Sequence, residues 1–466
     1  MNIVLIVFDT LRKDCLGFYG EPPWGKVHTP HLDAFAGESL VMTRAYPESL
    51  PTIPARRALY TGQRVYPFPT ADFKRKGNGI LLPGWGPVLE EQDTLAELLR
   101  EHGYRTGLIS DVYHMFTPGM NFWRGFDQWS FIRGQEGDSF RSGPPISDAE
   151  LAHWLPEQIR DRKKPRRMIS HVRRNMRDMN KEEDFFNPSV FRDAAQWMEQ
   201  NQDAENAFLT VECFDPHEPW IVPDHYRELY CAEEGQEQVR SNWGNKPKMA
   251  PALLRRTRAN YSGLVTMCDR WFGHFMETLR VLGRLDDTMI IVTSDHGHSI
   301  GDAGPIWKTG YVSRPEVFDV PLMIRFPKAE NGGRTSDMCI QHHDIAISIL
   351  EFAGVKPKTS LDGIPFVNEA LAENNGLRDH ATIGWSSSVT VVKDEWWFNC
   401  KVDRSGALLY DRRNDDFPGR NVVHENLDVA RELFEIAQKD AGMEFADYLL
   451  EMARHKPNAA GSCDLD

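Results

Sequence analysis

Asn2-Ile3-Val4-Leu5-Ile6-Val7-Phe8-Asp9 opens the chain with a short, unbroken apolar run that ends on a carboxylate. Continuity over this length, in place of polar–apolar alternation, suits a strand buried on both faces of a largely parallel sheet. Four further runs read the same way: Arg105–Ser110, Phe208–Phe214, Met289–Ser294 and Val320–Phe326. Helical patterns separate them. Asp93 or Thr94 caps a helix that places Leu95, Leu98 and Leu99 on one face and stops at Gly103, and a longer helix is predicted over Leu264–Leu282, ending at Gly283. Strand and helix in alternation predict an α/β fold, a large, mostly parallel sheet flanked by helices. This unit is expected over residues 1–370, with a basic insertion at about 155–185. The texture then changes. Thr382–Val392, Trp396–Val402 and Ala407–Tyr410 predict a small antiparallel sheet, with helices Ala430–Ala441 and Phe445–His455, in a C-terminal α+β subdomain 371–466. The tail from Pro457 is expected to fray.

Composition narrows the classes. The 466 residues are 41% hydrophobic and 26% charged, which is ordinary globular usage and excludes a disordered or fibrous chain. Lys+Arg 54 against Asp+Glu 68 gives −14, which argues against nucleic acid as a partner. No stretch has the ~18 apolar residues of a membrane helix, and no signal peptide precedes the first strand, so the expectation is a cytoplasmic protein with no membrane partner. The seven cysteines are scattered without a CxxC pair, which removes zinc-ribbon and thioredoxin readings. Lys163, Lys164, Arg166, Arg167, Arg173, Arg174 and Arg177 form a basic run, read as a solvated insertion in preference to an anion- or partner-binding patch.

The chemistry gathers at strand ends. Four of the runs pass directly into Asp9, Asp111, Asp215 and Asp295, and three of these have a histidine within three residues: His114, His217 and His296. Ligands of open parallel sheets bind beyond the carboxyl ends of the strands, so these groups are expected to meet in one crevice. Asp and His without thiolates suit a divalent ion such as Mg, Mn, Ca or Zn. Thr52 enters a short helix, Ala55–Tyr60, stopped by Gly62. At such an entry its hydroxyl sits among free backbone N–H groups, either as a nucleophile for an anionic ester or as an N-cap. Arg56 can fork onto two ester oxygens, and Lys308 can add a point charge. The rings of His114–Trp129 are assigned mostly to core packing, with a cleft wall as their other role.

With those residues in place the chain resembles the sulfatases, in the alkaline phosphatase superfamily. Asn2–Asp9 with Asp14 and Gly17, His28-Thr29-Pro30-His31-Leu32-Asp33, Thr61-Gly62, Gly103-Tyr104-Arg105-Thr106, Ser294-Asp295-His296-Gly297, Val320-Pro321-Leu322, Leu361-Asp362-Gly363 and Leu409-Tyr410-Asp411 follow the family's landmarks in order. The resemblance implies Asp9, Asp295, His296 and Thr52 as metal ligands, with Thr52 at the nucleophile position. It also implies catalytic roles for Arg56, His114, His217 and Lys308. One divalent ion is favoured over two; a second would draw on Asp215, His217 and one of His298, His342 or His343.

The departures are chemical. Sulfatases oxidise a Cys or Ser to formylglycine, and threonine cannot yield that aldehyde. The family's second consecutive Asp is Thr10, and its catalytic lysine is Val112. These changes point to a small anionic ester of phosphate or phosphonate as substrate, cleaved through a Thr52 covalent intermediate with His217 or His114 protonating the leaving group. The alternatives are a sulfate ester hydrolysed without formylglycine, and a non-catalytic anion- or metal-binding member of the fold.

Overall fold

A computed structural model describes the chain except residues 75–79, 161–162, 241–248, 303, 305, 309–311, 375, 414–418 and 466, so Thr309 and Gly310 beside Lys308 lie outside the described residues. In chain order the strands are β1 (Asn2–Phe8), β2 (Leu40–Tyr46), β3 (Arg105–Ser110), β4 (Gln128–Phe131), β5 (Ala207–Cys213), β6 (Thr288–Ser294), the short pair β7 (Ser299–Ile300) and β8 (Ile306–Trp307), β9 (Val320–Arg325), β10 (Arg334–Gln341), β11 (His380–Trp385), β12 (Ser388–Lys393), β13 (Trp396–Lys401) and β14 (Leu408–Asp411). Eight of them form one sheet in the order β10-β2-β9-β6-β1-β5-β3-β4.

All five apolar runs lie in that sheet. β1 sits between β5 and β6, parallel to both, and every one of its residues is buried. Its side chains alternate between two helical layers. Ile3, Leu5 and Val7 pack with Leu95, Leu98 and Leu99 on one face. Val4, Ile6 and Phe8 pack with Phe191, Leu264 and Phe272 on the other. Burial of each such side chain contributes about 1.5–3 kcal/mol. β9 departs from the parallel expectation, being antiparallel to both β6 and β2. β2 and β10 carry polar residues within their span, Thr43 and Arg44 in one and Arg334 to Asp337 in the other, which hides them from a search for apolar runs.

The helix Leu95–Glu101 forms as predicted, with Thr94 and Glu97 closing a reciprocal capping box. The long helix begins earlier than expected, spanning Pro251–Val281. Gly263 does not start it. A Cβ there would lie 3.1 Å from the Arg227 amide nitrogen, so glycine serves close packing against the helix Asp224–Glu228. The basic run folds largely as the helix Lys163–Asn175.

The run Thr382–Val392, read from sequence as one segment, is a hairpin, β11 and β12 turning at Ser386-Ser387 where Ser386 takes φ 57°. β11–β14 form the small antiparallel sheet, in order. It joins the main sheet beside the helix that carries Thr52: the Leu50 amide donates to Gly384 O at 2.8 Å and the Gly384 amide to Glu48 O at 3.1 Å. The tail does not fray. Ala407 and Cys463 exchange backbone hydrogen bonds of 2.7 and 3.2 Å, and Leu465 is buried among Leu433, Phe434 and Leu449. Apolar burial at Leu465 outweighs the freedom expected of a terminus. Among the described residues, no helix is long and apolar enough to cross a membrane.

Candidate active site

Because β1 and β6 are adjacent and in register, the residues that follow them come side by side. The Asp295 amide donates to Phe8 O at 3.3 Å, and Asp9 and Asp295 both turn a carboxylate oxygen onto Arg56 Nη1, at 3.1 and 2.6 Å. Thr10, in the left-handed region at φ 61°, aims its amide at Asp295 Oδ1 over 3.0 Å, and the His296 amide reaches the same oxygen at 2.7 Å. His296 Nδ1 lies 2.8 Å from Gly297 O, a bond that requires the proton on Nδ1 and leaves the Nε2 lone pair facing the carboxylates.

Asp9, Asp295 and His296 present ligand atoms within 4.8 Å of one another, all buried. Asp9 Oδ1 and His296 Nε2 have no hydrogen-bond partner, an expensive arrangement for buried polar atoms. Electrostatics agree. Burial, then the neighbouring Asp295 charge, push Asp9 well above the usual carboxylate range; against the same burial, His296, Arg56 and Lys308 hold Asp295 below it. Burial, reinforced by Lys308, lowers His296 to about 3, so its imidazole is neutral and able to coordinate. A divalent cation fits these three donors: it would fill the unmatched lone pairs and bring the charge that lets both carboxylates ionise.

Arg56 is wholly buried. Its Nε meets Glu212 Oε2 at 2.8 Å, and its Nη1 also reaches Thr52 O at 3.2 Å. The fork predicted for ester oxygens is thus engaged by carboxylates, and only Nη2 is without a partner. Tyr60 OH holds the other Glu212 oxygen at 3.0 Å. Thr52 is the first residue of the helix Thr52–Thr61, whose cap is Pro51, so its N-cap reading is removed. The contact from Arg56 fixes its backbone beside Asp9 and Asp295.

Around this cluster stand the predicted histidines and lysine. Burial, then Lys308, drive His217 well below 6.5; its Nδ1 lies 2.5 Å from Glu218 O, and its ring stacks on Phe214 at 4.2 Å. His114 is also lowered by burial, although Glu136 Oε2, 3.6 Å from its Nε2, opposes this. Neither ring therefore stores a proton at pH 7 in the unliganded site. Lys308 is half-buried and its charge bears on Asp9, Asp295, His114, His217, Glu218 and His296, which places it among them.

Asp111 and Asp215 do not join the metal cluster. They share the Gln135 amide, at 2.9 and 3.0 Å, while Asn187 binds Asp215 at 2.7 Å and the Phe214 amide binds Asp111 at 2.6 Å. Burial and the Asp215 charge raise Asp111 to about 8. These strand ends are therefore a buried carboxylate pair held by neutral donors. His342 and His343 are likewise engaged elsewhere, with Ser294 O at 3.0 Å and Arg378 Nη2 at 3.3 Å. Glu212 was missed by sequence reasoning, although an acid inside an apolar strand is a visible signal. So was the pair Glu218–His298, 3.6 Å apart, in which His298 helps hold Glu218 at about 2 against burial.

A family model described as Sulfatase matches residues 1–355. The multifunctional alkaline phosphatase superfamily protein PehA of Trinickia caryophylli is 25% identical over 79% of this chain and 77% of its own length. An arylsulfatase of Clostridium perfringens is 24% identical over 97% of both. Among solved structures, the phosphonate monoester hydrolase of Agrobacterium radiobacter superposes with a TM-score of 0.70 at 20% identity, covering 95% of each chain. Fold, order of landmarks and family match converge: the chain belongs to the sulfatase family, ester hydrolases of the alkaline phosphatase superfamily that use divalent metal ions.

Proposed function

We propose that this chain hydrolyses phosphate or phosphonate esters through a covalent Thr52 intermediate, with one divalent ion (Ca, Mg, Mn or Zn) held by Asp9, Asp295, His296 and Thr52. The observation that carries the reading is the anchoring of Thr52 beside Asp9 and Asp295 through Arg56, in a position where no formylglycine can form. When bound, the ion supplies positive charge that favours the Thr52 alkoxide and the developing charge on the ester. Arg56 orients both carboxylates and leaves Nη2 for an ester oxygen; Lys308 adds a second cation.

Thr52 Oγ, its proton released to solvent, forms a bond to phosphorus as the bond to the leaving oxygen breaks, and that oxygen takes a proton from His217 or His114. Water then cleaves the phosphothreonine, releasing phosphate or phosphonate. The low histidine pKa values make this acid conditional on substrate. An ester anion beside either ring favours its protonated form, so binding should take up a proton.

Metal-stripped protein assayed with aryl phosphate, diaryl phosphate, aryl phosphonate and aryl sulfate, each divalent ion restored singly, tests the reading. We expect metal-dependent phosphorus-ester cleavage that falls on the order of 10³-fold or more in Thr52→Ala. Full activity of that variant would remove the covalent step, and preference for the sulfate would reverse the assigned chemistry. Vanadate binding followed by calorimetry in buffers of different ionisation enthalpy should show proton uptake near pH 7. Binding without uptake would exclude the histidine acid.

A further inference from the structure

A cavity of 770 Å³ opens beside His114, and one of its walls is the basic helix that the proposed ester chemistry leaves without a role. His114 belongs to both its lining and the candidate active site, and ring contacts carry on from there to His217. The His217 ring stacks on Phe214 at 4.2 Å, Phe214 lies 6.2 Å from His114, and His114 meets Trp85 edge-on at 5.0 Å. Beyond Trp85 the walls present rings: Phe116 stacks on Phe131 at 4.3 Å and lies 5.5 Å from Trp129, which is 48% exposed. Exposed apolar surface of this kind, rimmed by polar groups, marks a ligand site more often than idle surface.

The opposite wall carries cations. Lys164 and Arg167 face the cavity from the helix Lys163–Asn175, while Arg133, on the strand side, is already held by Asp138 of the same lining at 2.7 Å. The helix sorts its arginines. Arg166 pairs with Asp148 and Arg173 with Glu150, both away from the cavity lining, whereas no carboxylate among the described residues pairs with Arg167. The lining also holds Glu136 and Asp138, but these face Tyr113, His114 and Arg133, which leaves the exposed Arg167 as positive charge at the cavity in a chain of net charge −14.

We infer that this cavity is the leaving-group subsite and takes a ring, aromatic or sugar, that carries a second anionic substituent, stacked on Trp85, Phe116 and Trp129 and paired with Arg167 and Lys164. The inference rests on the proposed ester hydrolysis for the words leaving group, while binding of the anionic ring stands on the cavity alone. An aromatic ring stacks on an indole face and a sugar chair lays its apolar C–H face against it, while the guanidinium supplies a planar fork for a sulfonate, sulfate, carboxylate or phosphate.

Titration calorimetry with naphthalene-1,5-disulfonate and with a disaccharide bearing two sulfate groups tests it, run on the wild-type chain and on Thr52→Ala, which removes turnover. At least one probe should bind, about tenfold more weakly in the double variant Lys164→Ala/Arg167→Ala and unchanged in Arg177→Ala, a control on the same segment that does not line the cavity. Which probe binds tells an aromatic source from a sugar source. The inference is overturned if neither binds, if naphthalene-2-methanol or the unsulfated disaccharide binds as tightly, or if Arg177→Ala weakens binding equally. Probe binding by a protein that cleaves no ester would leave the subsite standing and remove the hydrolase reading. Ester cleavage without probe binding would do the reverse.

Discussion

Arg56 meets three buried carboxylates, Asp9, Asp295 and Glu212, and is the sole cation in direct contact with all of them among the described residues. Removing one partner of a buried ionic cluster typically costs about 3–5 kcal/mol because the others are left uncompensated. A divalent ion on Asp9 and Asp295 would restore part of that charge, and a ligand that binds only the folded chain stabilises it. Arg56→Ala should therefore lower Tm in chelator and lower it distinctly less when the activating metal is present, as read by scanning calorimetry. Equal losses in both conditions would show that no cation occupies the carboxylate pair. At this scale the sequence was informative about identity and poor about contacts. Asp9, Thr52, Arg56, Asp295 and His296 were all legible from strand ends and family motif. That the guanidinium fork faces carboxylates was not, because it depends on Glu212 arriving from β5, which only strand order decides.

The strand ends show the same division among elements. Four aspartates follow the adjacent parallel strands β6-β1-β5-β3, and they divide into two outer pairs of neighbours, β6 with β1 and β5 with β3, although β1 and β5 also adjoin. Asp9 and Asp295 thus meet at the Arg56 cluster, and Asp111 and Asp215 meet each other. A carboxyl whose folded pKa is raised, as at Asp111 to about 8, binds more protons folded than unfolded, so its contribution to stability declines as pH rises from 3.8 toward 8. Asp111→Asn lacks that titration. Its stability relative to wild type should improve steadily between pH 5 and pH 8 in denaturant titrations, and a pH-independent difference would refute the protonated pair. The helices give a second lesson. The predicted helix starts at Leu264, yet the observed one spans Pro251–Val281 with Gly263 inside it, where the chain Tyr226–Arg227 crosses within 3.1 Å of a would-be Cβ. Alanine there would gain about 1 kcal/mol in helix propensity but incur about 1–3 kcal/mol of backbone overlap. Gly263→Ala should be neutral to destabilising by about 2 kcal/mol in chemical denaturation. A clearly more stable variant would mean that the contact yields easily.

At the scale of the molecule, the small sheet and the nucleophile helix share a seam. Gly384 in β11 bonds Glu48 O and accepts from the Leu50 amide, and the Gln341 side chain donates to Thr382 O at 2.8 Å. The segment Glu48–Pro51 leads straight into Thr52, so the position of Thr52 depends on β11 remaining folded. β11 in turn pairs with β12, and behind β12 lies the core closed by Leu433, Phe434 and Leu465. Sequence pattern revealed the sheet and both helices, but not the tail, because a single Leu465 within a polar end carries no periodicity. Leu465→Ala should cost about 2–3 kcal/mol, toward the low end for a buried leucine because a terminal segment relaxes readily. If the seam couples the two sheets, heat-induced release of the metal and loss of the small sheet's structure should shift down together in this variant, with one calorimetric transition. A chain whose small sheet melts first while metal stays bound would show instead that 371–466 unfolds on its own and that Thr52 is held by the large sheet alone.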